Sequence, residues 1–200
     1  HVKNHPLSLD RFNQLLRVYP KRREYAQGVF LNLMAVGKTI EATDTAKKHG
    51  LNEEWILGLE TQLSNAEGDK KVELAELLLK VKPQHLWSMQ ILAWHYLNTK
   101  QAHKSLSLFF KLLESSPQDE SAMQGLMLSA HQSKNWDVIH DNMQSTLLTS
   151  EQQTYWQNQW HNYKANEAFQ QDQYAIARDH FLMIRPQTSD QWEMLGWCEH

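Results

Sequence analysis

The residues of this chain that could do chemistry are eleven histidines, one cysteine and a single Gly-Lys-Thr tripeptide. The tripeptide, Gly37-Lys38-Thr39, lacks the glycine that a phosphate-binding loop places five residues earlier, because Asn32 stands there. The histidines form no His-Glu-x-x-His motif, and a structural zinc site usually takes cysteine ligands, of which Cys198 is the only one. No Gly-x-Ser-x-Gly nucleophile motif is present. We therefore expect no catalytic site, no metal and no cofactor.

Charge and hydropathy narrow the classes of partner. The net charge is −3, which argues against nucleic acid as a partner. Residues 1–50 carry nine Lys/Arg against four Asp/Glu, whereas residues 51–200 carry eleven against nineteen. We read the basic run Lys21-Arg22-Arg23 as a solvated helix end, and the alternative is a docking patch for an acidic partner or a phosphate. No apolar run approaches the roughly 18 residues of a membrane span.

The single cysteine excludes an intrachain disulfide. This favours a reducing compartment such as the cytoplasm, although a periplasmic location stays open. The amide-rich composition, with nineteen glutamines and a single cysteine, suggests a bacterial protein.

The prolines indicate where the helices that position these residues end. Pro20, Pro83, Pro117 and Pro186 are separated by 63, 34 and 69 residues, which is about two, one and two units of 34. Each of them follows a stretch with helical apolar periodicity, and proline cannot continue a helix. The pattern predicts helix pairs that repeat along the chain.

The segment 84–117 is the clearest repeat. Apolar spacing predicts helices at 86–98 and 102–114, with a turn between them. The segment resembles a tetratricopeptide repeat, whose signature is W-x2-L-G-x2-Y, then A-x3-F, then P. The matching residues are Leu92, Ala93, Tyr96, Ser105, Phe109 and Pro117. Parts of the same signature recur in Tyr174-x2-Ala177-x3-Phe181 and in Trp192-x2-Leu195-Gly196.

The resemblance implies an all-α fold, a right-handed α-solenoid of antiparallel helix pairs. Full repeats are expected at about 21–50, 51–83, 84–117, 118–150 and 151–186, with partial repeats at 1–20 and 187–200. The whole of 1–200 would be a single array. Because a partial repeat stands at each end, we expect the chain to be a fragment of a longer array.

The resemblance also implies a binding surface, since the first helix of each repeat lines the concave groove in that family. Asn and Gln side chains can pair with a peptide backbone, and Trp supplies apolar area. The residues expected in the groove are Trp87, Gln90, Trp94, Leu97, Asn98, Gln124, Leu128, His131, Gln132, Gln159, Asn162, Asn166, Phe169 and Trp197. Trp55, Trp136, Trp156 and Trp192 are expected in the core between repeats. For Trp87 and Trp94 both positions stay open.

The expected function is a non-catalytic scaffold that binds a peptide or a partner protein in the groove. One alternative is a regulatory or substrate-docking repeat region of a larger enzyme or assembly. Another is an architectural solenoid that associates with itself through the terminal helix 187–198, where Trp192, Leu195 and Trp197 are apolar.

Overall fold

In the computed structural model, residues 5–184 and 188–199 are described, and all regular structure in these two ranges is helical. The predicted all-α class is confirmed. The twelve helices of the described ranges are α1 His5–Val18, α2 Arg23–Ala35, α3 Thr39–His49, α4 Asn52–Asn65, α5 Gly68–Val81, α6 Leu86–Asn98, α7 Ala102–Ser115, α8 Glu120–Gln132, α9 Trp136–Asn142, α10 Ser150–Gln170, α11 Tyr174–Ile184 and α12 Ser189–Cys198.

The chain divides into two compact units, His1–Ile91 and Leu92–His200, which we call the first and the second unit. In the first unit, α1 to α5 pack against one another in chain order, and α2 also contacts α4. In the second unit, α7 to α12 do the same. Neighbours along the chain are thus neighbours in space, as in a helical repeat. The single array over 1–200 stays a prediction.

Three prolines stop helices as the sequence predicted. α1, α5 and α7 each end two residues before Pro20, Pro83 and Pro117. The cause is the missing N–H of proline, together with the extended backbone that it imposes on the residue before it. The corresponding prediction for Pro186 lies outside the described residues.

Four connections between paired helices share one geometry. Gly37, Lys100, Lys134 and Asp172 each lie two residues beyond a helix end and have a left-handed backbone, with φ of 77°, 60°, 56° and 58°. The next residue donates its N–H to the carbonyl five residues back at 2.8–2.9 Å, and the left-handed residue donates to the carbonyl three residues back at 3.1–3.2 Å. This is the Schellman motif. Its recurrence shows that the helix pairs repeat in structure where the sequence signature has faded.

Small residues allow the helices of the second unit to approach closely. Gly125 of α8 lies against the buried ring of Phe109 of α7, and a methyl group at Gly125 would overlap that ring. Ser105 fills the small position of the signature, and its hydroxyl donates to the carbonyl of Ala93 at 2.8 Å. It also shares a 2.8 Å hydrogen bond with the buried Ser129 hydroxyl. The polar atoms at this interface are therefore satisfied.

Candidate functional site

Two adjoining pockets lie along α8, α10 and α12, the first helices of consecutive predicted repeats. One pocket, of about 330 Å³, lies between α8 and α10, and its lining includes Leu128 and Trp156. The other, of about 240 Å³, lies between α10 and the α11–α12 segment, where Thr188 and Gln191 contribute. Tyr155 lines both pockets, so they adjoin at this residue, and we call the two pockets together the α8–α10–α12 groove.

The groove brings together part of the predicted set. Gln124 and Leu128 line its first pocket, and Gln159 and Asn162 line its second. All four residues lie on the first helices of predicted repeats. On each of these helices, residues three or four positions apart share one face, so the predicted register brings them to the same surface. Sequence reasoning missed Tyr155, which joins the two pockets.

Several hydrogen-bonding groups of the groove are free. Within the described part of the chain, the side-chain amides of Gln124, Asn158 and Gln159 have no hydrogen-bond partner. Each amide can donate and accept at once. Tyr155 is half exposed, and its ring meets the edge of the buried Trp156 ring at 4.9 Å between centroids. The apolar surface of Tyr155 and Trp156 therefore lies next to side-chain amides that are free to bind a ligand.

Asn162 is held in place by its neighbours. Its Oδ1 accepts a hydrogen bond from Nε2 of Gln191 at 2.9 Å, which ties α12 to α10. Nδ2 of Asn166 donates to the Asn162 carbonyl at 2.6 Å. Asn166, a predicted groove residue, therefore positions Asn162 in this structure.

Of the predicted groove residues, Leu97 is buried, so the prediction for it is wrong, and Phe169 is half-buried against the core. Leu97 is only 8% exposed because it packs inside the second unit. Phe169 packs against the buried cluster that includes Ala165 and Phe181. Both lie on a side of the helix that the sequence register could not separate from the open side.

The other predicted groove residues of α8 and α12 lie near the ends of their helices. His131 is half-buried between the rings of Trp136 and Trp156, at centroid distances of 5.5 and 5.8 Å. Gln132 is exposed at the last residue of α8. Trp197 is 65% exposed on α12.

The predicted residues of α6 divide between the two units. In the first unit, Trp87 is exposed with the Lys71 ammonium 5.7 Å from its ring centroid, and Gln90 is half-buried. In the second unit, Trp94 packs edge-on against Phe109 at 5.2 Å, which is the core alternative. Asn98 is exposed at the end of α6.

The four tryptophans predicted to lie in the core differ in how far they are buried. Trp55 and Trp156 are buried, as predicted. Trp136 is half-buried and stacks on Tyr163, with centroids 4.5 Å apart and planes 12° apart. Trp192 is 59% exposed, so the prediction for it is wrong. The reason is that the buried residues of α12 are Leu195 and Cys198, and Trp192 lies outside that contact.

A larger groove in the first unit was missed. A cavity of about 720 Å³ runs between α2 and α4, where Leu31 and Leu57 are exposed. Nε2 of Gln62 donates to the Met34 carbonyl at 2.8 Å across the two helices. Gly58 permits their close approach, since a methyl group there would press on the Met34 and Phe30 side chains. The register of the 84–117 repeat, applied to the two preceding repeats, could have indicated this groove.

A histidine pair was also missed. Nδ1 of His161 on α10 lies 2.9 Å from Nδ1 of His180 on α11, and the ring of Trp160 is 5.5 Å from that of His180. Burial is the largest cause that lowers the pKa of each of these imidazoles, Lys164 lowers the pKa of His180 further, and Asp179 opposes that shift. The residues are nineteen positions apart across a helix turn, a separation that no short motif would detect.

Other chemistry is sparse in the described residues. They contain no group of three or more His, Cys, Asp or Glu side chains that could hold a metal ion. The Cys198 thiol is buried, and burial raises its pKa, which disfavours the reactive thiolate. Among the helices of the described ranges, none is both long and apolar enough to cross a membrane.

No protein-family model and no curated protein matches this chain. Among solved structures, it is similar to MamA 41-end from Desulfovibrio magneticus RS-1, at 14% identity and a TM-score of 0.35 over 92% of this chain and 85% of that chain. A MamA RS-1 double mutant gives 14% identity and a TM-score of 0.34 over 92% and 84%. The structure of Naa15/Naa10 bound to HypK-THB gives 17% and 0.45 over 98% of this chain and 37% of that chain. At these TM-scores, the fold assignment rests on the helices of the chain itself.

Proposed function

We propose that this chain is a non-catalytic scaffold that holds an extended segment of a partner protein in the α8–α10–α12 groove. The observation that carries the proposal is the pair of adjoining pockets joined by Tyr155 and lined by unpaired amides. An extended peptide offers a carbonyl and an N–H at every residue, and side-chain amides can bind both. Few other ligands carry hydrogen-bond donors and acceptors that alternate in this way.

The two pockets have different chemistry. Leu128, Tyr155 and Trp156 supply an apolar surface in the first pocket, which suits an apolar side chain of the partner. The second pocket is polar and takes its lining from Asn158, Gln159 and neighbouring groups. We therefore expect the peptide to anchor one side chain in the first pocket and to pair its backbone with amides in the second.

The experiment is a selection from a phage-displayed library of random 12-residue peptides on the full chain. Binding of the selected peptide is then measured with the Tyr155→Ala variant. The matched control is Tyr19→Ala, because Tyr19 and Tyr155 are 52% and 50% exposed and Tyr19 lies on the first unit. The proposal expects binding to be weakened about tenfold or more in the first variant only. Failure to select any peptide, or equal binding by both variants, would contradict it.

Self-association is a second candidate function. It is favoured by the exposure of Trp192 and Trp197 on α12, because large apolar side chains exposed together often mark a contact surface. The regulatory or substrate-docking region of a larger enzyme or assembly would use the same groove, and it stays a prediction. The cytoplasmic location and the absence of a nucleic-acid partner also stay predictions.

A further inference from the structure

The three helices that line the groove are acidic. Five carboxylates lie on α8, α10 and α12, and Lys164 is the one lysine or arginine on these helices. The carboxylates are Glu120, Glu151, Glu167, Asp190 and Glu193. Lys164 pairs with Glu167 at 2.7 Å, so the other four have no basic partner on these three helices.

These four carboxylates are exposed, and none has an ion-pair partner within the described part of the chain. Glu151 lines the first pocket itself. Glu120 lies four residues before Gln124, which places the two on one face of α8. Asp190 is adjacent to Gln191, which lines the second pocket. Negative charge therefore lies at the first pocket, where Glu151 contributes to the lining.

The groove of the first unit differs in this respect. Glu54 lines it, but Arg23 binds both carboxylate oxygens, at 2.9 and 3.1 Å. The backbone and Arg23 together lower the pKa of Glu54, so this carboxylate stays ionised and paired. Among the described residues, the carboxylate that lines the first-unit groove is paired with an arginine, whereas Glu151 in the α8–α10–α12 groove has no ion-pair partner.

Helix stability explains only part of this pattern. Acidic residues in a first turn interact favourably with the helix dipole, which accounts for Glu120, Glu151 and Asp190 without any ligand. The helix dipole does not account for the scarcity of basic residues on these three helices. The second helices α7 and α11 carry Lys104, Lys111 and Arg178, whereas the second helix α9 carries no lysine or arginine.

We propose that the segment bound in the α8–α10–α12 groove is an extended peptide with lysine or arginine residues flanking an apolar anchor. The anchor contacts Leu128 and Trp156, and the basic side chains reach Glu120 and Glu151. This inference rests on the proposed function and adds the charge of the partner to it. Complementary charge fixes the register of the bound peptide and accelerates its association.

The test uses the full chain and the peptides selected from the random 12-residue library. Selected sequences are expected to be enriched in lysine and arginine, and their affinity is expected to fall as salt is raised. Glu151→Gln keeps the shape of the side chain and removes its charge. Because exposed ion pairs are weak, we expect its Kd to rise about two- to fivefold, with a similar rise for Glu120→Gln. Glu114→Gln is the control, since Glu114 is exposed on α7.

The outcomes separate the two proposals. Neutral or acidic peptides that lose binding in Tyr155→Ala but are unaffected by Glu151→Gln would overturn the charge inference and leave the proposed function standing. Peptides that bind Tyr155→Ala as tightly as the parent chain, or a library that yields none, would overturn both. Circular dichroism of each variant shows that the helices are retained, so that lost binding reports the groove.

Discussion

At the scale of single residues, one helical register contains side chains that line the groove and side chains that pack against the core. Gln124, Leu128 and Asn162 follow from one helical register and do meet in the groove. Leu97 satisfies the same register and is buried, and Phe169 is half-buried against the core. Burial depends on which neighbouring helix covers a face, and that information is not contained in the spacing along one helix.

Gly125 gives the sharpest prediction at this scale. Gly125→Ala places a methyl group into the buried ring of Phe109, so we expect the free energy of unfolding to fall by about 1–3 kcal/mol. Urea denaturation measures it. The control is Gly196→Ala on α12, where no heavy atom lies within 4 Å of the new methyl group. That change should stabilise the chain by about 0.5–1 kcal/mol, and a loss at both positions would refute the packing account.

At the scale of elements, helix ends were the most predictable feature. The prolines that follow α1, α5 and α7, together with the signature of the 84–117 repeat, indicate from the sequence where most helices lie. The turns were less predictable, because three of the four Schellman motifs use Lys100, Lys134 and Asp172 where glycine is the usual residue. A non-glycine residue gives no sequence signal for a left-handed backbone.

This feature predicts that Lys134→Gly is stabilising. The left-handed backbone of Lys134 strains a side chain that has a Cβ, by about 1–2 kcal/mol, and glycine removes that strain at a smaller cost in chain entropy. We expect a net gain of about 0.5–1 kcal/mol in thermal or urea denaturation. Lys111→Gly, in the interior of α7, should instead lose about 1 kcal/mol. A loss of stability in Lys134→Gly would show that the turn is unstrained.

The α10–α11 pair should be sensitive to acid. One proton can bridge Nδ1 of His161 and Nδ1 of His180, but two protons repel each other. Burial lowers both pKa values in the folded state, so the unfolded chain takes up protons first as the pH falls. The stabilisation is complete above the ordinary histidine pKa of about 6.5 and is lost as the pH falls below it. His140, Lys164 and Asp179 are the other charged groups that act on the pair.

Thermal melts between pH 7.5 and pH 5 measure this effect. The loss of stability on acidification should be smaller in His161→Gln, because one titrating group of the pair is gone. His103→Gln, at an exposed histidine of α7, should follow the parent curve. If His161→Gln and the parent chain have the same pH dependence, the histidine pair contributes nothing to it.

At the scale of the molecule, the repeat period predicts the all-α class. The positions of the open surfaces are known only from the structure. The exposure of Trp192 depends on what covers α12, and the α2–α4 groove depends on how closely two helices approach. Neither follows from composition or periodicity. The two grooves are open surfaces between neighbouring helices of the described residues.

The exposed face of α12 predicts behaviour in solution. If Trp192 and Trp197 form a contact between copies, sedimentation equilibrium should show a mass that increases with concentration, and Trp192→Ser with Trp197→Ser should abolish that increase. Leu182→Ser, at another exposed apolar residue of the second unit, is the control. A constant monomer mass at all concentrations would exclude the architectural alternative.

The central claim is that the α8–α10–α12 groove binds an extended peptide. Its most direct test is the affinity of the library-selected peptide for the parent chain, Tyr155→Ala and Tyr19→Ala, measured by isothermal titration calorimetry. Because Tyr155 lines both pockets, we expect its loss to weaken binding about tenfold or more, the cost of a central contact residue, whereas Tyr19→Ala leaves the affinity unchanged. Equal affinity of all three proteins would contradict the claim.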